Sequence, residues 1–540
     1  SYDYTTVKGE KWYDPRTSNG EDENGEVVKR IREYKKMVWS NTLSYLTTFN
    51  NIHHLDFLAG YEIDDTYNDY LSGEAYNFTT PDKHAISNGM KTVSVGGSDS
   101  RYRLVSYLSR LNYDYKNKYY LGASFRVDGS SRLHRDNRWG TFWSVSGAWR
   151  TIEEEFMQPV KDWLTDLRIR ASYGVNGTLP SDYFGYMGLS SISDGYLEQP
   201  GIQMSQIANP NLKWETNYNM NIGLDFGFWD RLNFTIEYYT RTTKNLLMDC
   251  PVSMTTGFSN YLMNIGEVKN KGIELTINST NIKIKDFSWN TTFNLGHNSN
   301  KVVKLDGEQT QIVSGTQIHK VGSSYRTFYV QEFAGINPET GNPLFYTNEL
   351  DENGNYIKEI TENSKNAQFI PYKHAEPTVN GGISNSLRYK WLDLNFLFSY
   401  QFGGYSYDTW AQKTEHGGYD SYANIPTYYR DSWKKPGDQT NIEVYMPGKS
   451  SSVSMHKITS SRRIHSTDYF RLKNITFGIT LPKEWTNKIN IGNVRFYASA
   501  SNLWTWAAYD NYDPEAVSAG SATQTTPPLK TVTFGLNINF

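Results

Sequence analysis

The sequence predicts an all-β fold, a transmembrane antiparallel β-barrel. Three observations predict it. Large apolar residues alternate with polar ones along many segments, the period of a strand with two different faces. These segments reach the roughly 9–11 residues that a tilted strand needs to cross a bilayer, whereas ordinary strands run about 5–6. The connections between them alternate between short and long, as in outer-membrane barrels.

The elements follow in order. In YYLGASFRVD (119–128) one face is Tyr119, Leu121, Ala123, Phe125 and Val127. In LRIRASY (167–173), Leu167, Ile169, Ala171 and Tyr173 oppose Arg168, Arg170 and Ser172. MNIGLDFGF (220–228), LNFTIEYY (232–239) and FSWNTTFNL (287–295) repeat the pattern. The chain closes on TVTFGLNINF, with Val532, Phe534, Leu536, Ile538 and Phe540 on one side and Thr, Gly and Asn on the other. Short connections fall near 49–54, 115–118, 228–231, 282–286, 388–392 and 482–492. Long ones fall at about 70–98, 129–138, 179–211, 249–262, 300–376, 408–466 and 508–528. Short turns face the periplasm in such barrels and long loops face outward. The expected count is about fifteen strands, with RTFYVQEFAGINPETGNPLFYTNEL assigned to an extracellular hairpin. Residues 1–36 are expected as an extracellular loop, residues 37–540 as barrel, and the C-terminus as periplasmic. Bacterial single-chain barrels have even strand numbers, so the chain is expected to be the C-terminal part of a larger barrel.

Composition agrees. Aromatic residues make up 15% and apolar residues only 38%. This suits a wall that is wet on one side and carries amphipathic rings at a lipid boundary. Net charge is −3, so no basic field invites nucleic acid. Cys250 is alone, so no internal disulfide forms. No run of about 18 apolar residues can make a transmembrane helix. SYDYTTVKGEKWYD lacks the apolar centre of a signal peptide, as a mature or truncated chain would.

Several stretches resemble the SusC/RagA-like TonB-dependent transporters of Bacteroidota outer membranes. They are SFRVDGSSRL (124–133), RWGTFWSVSGAWRTIEEEFM (138–157), LTDLRIRASYGVNGT (164–178), NPNLKWETNYNMNIGLDFGF (209–228), YYTRTTKNLL (238–247), NIGEVKNKGIEL (264–275), DYFRLKNITFGITLP (468–482) and SNLWTW (501–506). The resemblance implies a 22-stranded barrel whose N-terminal plug is not in this chain. It implies TonB contact through that plug and a SusD-like surface lipoprotein as a lid. The implied activity is import of oligomeric nutrients, most simply glycans. A peptide importer of the RagA type, a passive porin and a surface-binding barrel remain as alternatives. No cofactor and no enzymatic activity are expected.

No catalytic constellation stands out. MPGKSS (446–451) has Glu443 where a P-loop needs glycine. ENGEVV (23–28) and DENGNYI (351–357) are acidic but read as Asn-Gly turns, since Tyr356 sits where an EF-hand needs glycine. His53 and His54 lie on a short turn with no second cluster. Arg126, Arg168 and Arg170 are expected to pair with wall and plug carboxylates, with Arg126 also a candidate for substrate contact. Tyr405, Tyr407 and Trp410 could stack on substrate or form part of an aromatic girdle. Trp143 and Trp149 share a face and are expected as lipid-side anchors. The 408–466 loop is the expected contact with the lid lipoprotein. Phe534, Leu536, Ile538 and Phe540 resemble the terminal signal read by the barrel-assembly machinery.

Overall fold

The computed structural model describes all residues except 197–198, 306–309, 419–423, 448–454, 456–457, 487, 489–490, 524 and 540. Phe540 and most of MPGKSS therefore lie outside the described residues. Sixteen strands form one sheet in which each hydrogen-bonds to its neighbour in sequence. They are β1 (Tyr2–Tyr13), β2 (Glu26–Phe49), β3 (His53–Phe78), β4 (Gly89–Tyr115), β5 (Tyr119–Ser130), β6 (Trp139–Trp149), β7 (Leu164–Thr178) and β8 (Glu215–Phe228). Then follow β9 (Leu232–Lys244), β10 (Glu267–Ile284), β11 (Phe287–Lys304), β12 (Val379–Tyr389), β13 (Leu392–Phe402), β14 (Tyr469–Thr480), β15 (Asn493–Ala507) and β16 (Thr531–Asn539). Strands β1–β5 and β10–β16 pair antiparallel throughout.

Short turns close one end of the strands. Asn50 and Asn51, Lys116 and Asn117, and Trp229 and Asp230 all take positive φ. Two successive left-handed residues match the right-handed twist of the flanking strands. The other end carries the long connections.

Two expectations change. Residues 1–36 are not an irregular loop, since they hold β1 and the first part of β2, paired from Tyr2↔Met37 to Tyr13↔Glu26. This raises the count from about fifteen to sixteen. The expected 70–98 loop shrinks to 79–88, because β3 and β4 run 26 and 27 residues. The physical reason is common to both. Beyond Ile63 and Val105 neither face of the hairpin needs to be apolar, so Asn68, Asp69, Ser98 and Asp99 continue the ladder without the alternation that marks a lipid-facing strand. The 326–350 stretch, by contrast, stays out of the main sheet as expected. Its strands Thr327–Gln331, Phe333–Ile336 and Pro343–Tyr346 belong to small separate sheets.

Two compact units share the strands: residues 1–148, 172–219 and 243–265, and the remainder. In each, the buried apolar residues form small clusters that combine strand positions with residues of the long connections. The first unit packs Leu133, Phe142, Leu212 and Trp214 together, and separately Val27, Ala75 and Phe78. The second packs Phe345, Ala367, Met455 and Ile458, and separately Phe328, Val330 and Tyr407.

The apolar sheet face is exposed in a banded way. In the first unit Trp39, Tyr61, Tyr107 and Trp139 form a row across β2, β3, β4 and β6, with centroid spacings of 6.3, 5.1 and 6.5 Å. Near the short turns His53, Tyr115 and Tyr119 form a second row, spaced 4.9 and 6.3 Å. Eight residues of β3 separate Tyr61 from His53, or about 26 Å of strand, which is about 20 Å of height at a barrel tilt of about 40°. Two aromatic rows bounding an apolar band of about 25 Å are the mark of a lipid-facing barrel wall. Trp143 lies between them on the same face, 41% exposed, whereas Trp149 is half-buried and donates its indole N–H to Glu154 at 3.1 Å. In the second unit Val532, Phe534, Leu536 and Ile538 pair with Ala500, Ala498, Phe496 and Val494, so the terminal stripe continues onto β15.

Candidate functional site: the polar face and the long-loop cluster

The polar face follows from the same alternation. Arg168 and Arg170 stand on β7 between Leu167, Ile169 and Ala171, so period two sends both guanidinia to the polar side. Asp225 on β8 accepts from Arg168 Nε at 2.9 Å, Arg170 Nε at 3.1 Å and Thr235 Oγ1 at 2.8 Å. Arg170 also pairs with Glu237, which takes Asn221 Nδ2 at 3.0 Å. In the other unit Arg126 Nε binds Asp128 at 2.7 Å, its Nη2 binds Ser106 at 2.8 Å, and Glu62 lies at 3.7 Å. These arginines pair with carboxylates of their own wall. The geometry makes a charged, cross-linked polar surface.

The 403–468 connection is a small folded body. Tyr405–Asp408 pairs antiparallel with Ile464–Ser466 and parallel with Ser521–Ala522. Asp408 caps the helix α1 (Thr409–Thr414) by accepting from the Ala411 N–H at 2.7 Å. Beneath lies a buried ion network. Glu443, fully buried, accepts from Arg462 Nη1 at 2.8 Å and from the Tyr429 hydroxyl at 2.7 Å. Arg463, also fully buried, pairs with Glu415, which takes the Tyr428 hydroxyl as well. Burial, with Glu443 and Glu415 alongside, keeps both phenols far above their ordinary range. Beside it, His465 stacks on Tyr509 with centroids 3.7 Å apart. Burial pulls His465 down to about 4, against the opposing pull of Asp408.

This arrangement corrects one expectation and refines others. Tyr407 is 1% exposed and packs on Phe328 and Val330, so its ring meets no ligand here. Its strand is sandwiched on both sides by loop, not by lipid, which removes the girdle reading too. Tyr405 is half-buried beneath Lys373, whose Nζ sits 5.2 Å above the ring. Trp410 remains accessible on α1, 37% exposed. Arg126 is partly open despite its ion pairs.

His53 Nδ1 meets the Tyr113 hydroxyl at 2.7 Å and His54 Nδ1 meets Thr48 at 3.0 Å, and no metal-binding cluster occurs among the described residues. In DENGNYI the Asp351 carboxylate accepts from the Asn353 and Asn355 amides at 2.9 and 2.8 Å, and these bonds hold it below the usual range. That is a turn, as expected. Cys250 is buried, which pushes its thiol up and leaves it unreactive. The reading of the sequence missed Glu415, Glu443, Arg462 and Arg463. Their one sequence signal is the adjacent pair Arg462-Arg463, too common to stand alone.

A sequential antiparallel sheet, two aromatic rows bounding an apolar band and a cross-linked polar face define the wall of an outer-membrane β-barrel. Residues 1–356 match the model of the family described as TonB dependent receptor-like, beta-barrel, and the chain belongs to that family. Its relatives include TonB-dependent receptor P3 of Formosa agariphila, 32% identical over 96% of this chain and 53% of that protein. TonB-dependent receptor SusC of Bacteroides thetaiotaomicron is 29% identical over 96% of this chain and 51% of that protein. Among solved structures, the RagAB peptide transporter superposes with a TM-score of 0.87 at 26% identity, covering 100% of this chain and 59% of that one. The chain thus spans about half the length of the curated relatives it matches, and its resemblance is to the SusC/RagA type.

Proposed function

We propose that this chain is the outer wall and loop assembly of an importer that takes up oligomeric nutrients, most simply glycans, across the outer membrane. The observation that carries this reading is the similarity along the whole chain to SusC and to the RagAB transporter. TonB supplies the pull through a plug domain preceding this segment, and a SusD-like lipoprotein closes over the long loops. The polar face contributes no chemistry; it offers hydrogen bonds to a hydrated oligomer while its arginines and carboxylates neutralise one another. Trp410 and Arg126 are the contacts this reading favours, followed by Tyr405, with the 403–468 body meeting the lid. The terminal stripe of Phe534, Leu536, Ile538 and Phe540 serves as the assembly signal.

A peptide cargo is the second reading, supported by the similarity to the RagAB peptide transporter. Uptake of labelled oligosaccharides and oligopeptides by cells carrying the intact receptor, with and without TonB, tests both. TonB-dependent uptake of oligosaccharide supports the first reading. Uptake of peptide alone replaces it with the second. A steady open conductance of the complete receptor in a planar bilayer, with uptake indifferent to TonB, means a porin. Unchanged uptake of every candidate nutrient in cells lacking the receptor means a surface-binding barrel.

A further inference from the structure

Within the second unit, a cleft of about 630 Å³ opens where the long-loop end of β15 meets α1 and the 508–527 connection. Its walls bring together Trp410, Trp506, Tyr512 and three carboxylates, Asp408, Asp510 and Asp513. One basic side chain lines it, Arg471, and that residue is already engaged. Its Nη2 pairs with Asp513 at 2.6 Å and its Nη1 with Glu515. Asp408 is fully buried, yet its partners are neutral donors only: the Ala411 N–H, the Tyr509 hydroxyl at 3.0 Å and Asn511 Nδ2 at 3.0 Å. Asp510 is exposed and has no ion pair among the described residues.

The cleft therefore holds two carboxylates without a basic counterion beside two open indole faces. Trp410 is 37% and Trp506 49% exposed, so both faces are available. Trp506 stands opposite Phe470 in register, on the side of β15 that is apolar lower down, and an interface ring is the ordinary role there. Trp410, however, comes from the loop helix and lines the same cleft, and the carboxylates beside them have no place in a lipid girdle. Indole faces attract cations, and carboxylates add charge-assisted hydrogen bonds to an ammonium or guanidinium. A ring pair flanked by uncompensated negative charge selects a cation over a neutral group of the same shape.

We propose that this cleft is a binding site for a protonated amine or guanidinium carried by the cargo. Trp410 and Trp506 supply the aromatic faces and Asp510 the accessible counter-charge. Asp408 lines the cleft with its carboxylate held by the Ala411, Tyr509 and Asn511 donors. Either an amino sugar or an arginine-bearing peptide presents this chemistry. The site goes beyond the import reading, because its occupancy needs neither TonB nor a lid.

The test is equilibrium binding to the complete purified receptor in detergent, followed by calorimetry or tryptophan fluorescence. Probe pairs differ only in charge: glucosamine against N-acetylglucosamine, and acetyl-arginine amide against acetyl-citrulline amide. At least one charged member binds roughly tenfold tighter than its neutral partner, and the preferred pair tells an amino sugar from a peptide. Trp410→Ala weakens the charged probe roughly tenfold and Asp510→Asn roughly threefold, with Trp410→Phe recovering most of the loss. Added salt reduces the charged probe's affinity and leaves the neutral one alone. Equal binding within both pairs, no binding by any probe, or unchanged affinity in a folded Asp510→Asn receptor overturns the site. Any of these leaves TonB-dependent uptake untouched, so the two readings fail separately.

Discussion

Replacing Glu443 by Ala asks what holds the 403–468 connection in shape. Glu443 is fully buried and accepts from Arg462 at 2.8 Å and Tyr429 at 2.7 Å. Removing one member of a buried ion pair costs about 3–5 kcal/mol, because the remaining charge is left desolvated. Arg462 keeps Glu415 at 3.8 Å, which places the loss at the low end of that range. The Tyr429 hydroxyl loses its acceptor, which adds about 1 kcal/mol. A total of about 4 kcal/mol corresponds to roughly a thousandfold rise in local opening. Global melting is the wrong readout, since the sheet dominates it. Hydrogen exchange of the 403–468 amides in the complete receptor is the right one. Protection there falls about a thousandfold, while amides of β13 and β14 keep theirs. Tyr429 and Arg462 reach different oxygens of Glu443, so Glu443→Gln keeps an acceptor for one of the two donors and its effect is intermediate, about tenfold. A change below threefold in both variants would refute the network as the source of order.

Three further outcomes are expected. His465 sits folded at about 4, below its ordinary 6.5, so the unfolded loop takes a proton that the folded one refuses. Stability of the 403–468 body is therefore full above pH 6.5 and falls by about 1.4 kcal/mol per unit as the pH drops toward 4. His465→Phe flattens that slope in exchange rates corrected for intrinsic pH dependence, and an identical slope in the variant rejects His465 as its origin. Phe534→Arg puts a charge on the lipid side of β16 and costs about 2–4 kcal/mol near mid-bilayer. Thr533→Arg, on the opposite face beside Ser499, is tolerated. Heat-modifiability on gels of the complete receptor separates them, and equal loss in both rejects the assignment of faces. Arg170→Met leaves Glu237 with Asn221 alone and Asp225 with Arg168 and Thr235. A plug-deleted form of the receptor then shifts toward cation selectivity in reversal-potential measurements, and an anion-ward shift contradicts the polar-face placement.

What the sequence disclosed follows from what lipid demands. Leu121, Phe125, Ile169, Leu224 and Phe534 were legible because a bilayer requires an apolar residue at every second position, a constraint written residue by residue. The arginine pairs were legible in part, since Arg168 and Arg170 alternate with those apolar residues, but their partners Asp225 and Glu237 come from other strands. β1 was invisible for the converse reason. Lys8, Glu10, Arg30 and Arg32 sit on a backbone ladder whose side-chain pairs are polar, such as Glu10 with Lys29 at 3.0 Å, and such a ladder leaves no apolar alternation when both faces are wet.

The long-loop cluster was hidden by a different ambiguity. In FGGYSYDTW the alternation Tyr405, Tyr407 against Ser406, Asp408 looks like a strand with one apolar face leaving the membrane. In the structure Ser406, Tyr407 and Asp408 are all buried, because a loop sheet packed on both sides buries both parities. Period two therefore assigns a face only where one face meets lipid. Past the aromatic row the same residues lose that reference, and what decides their surroundings is contact with Phe328, Arg463 and Tyr509, far away in sequence. The wall is fixed by the bilayer and leaves little freedom for side chains, whereas the long-loop end is free of it. Trp410 and Asp510 stand at that end, on an assembly held by Arg462, Arg463, Glu415 and Glu443. Selectivity for cargo should thus change with substitutions there and stay constant with substitutions on the lipid face that preserve folding.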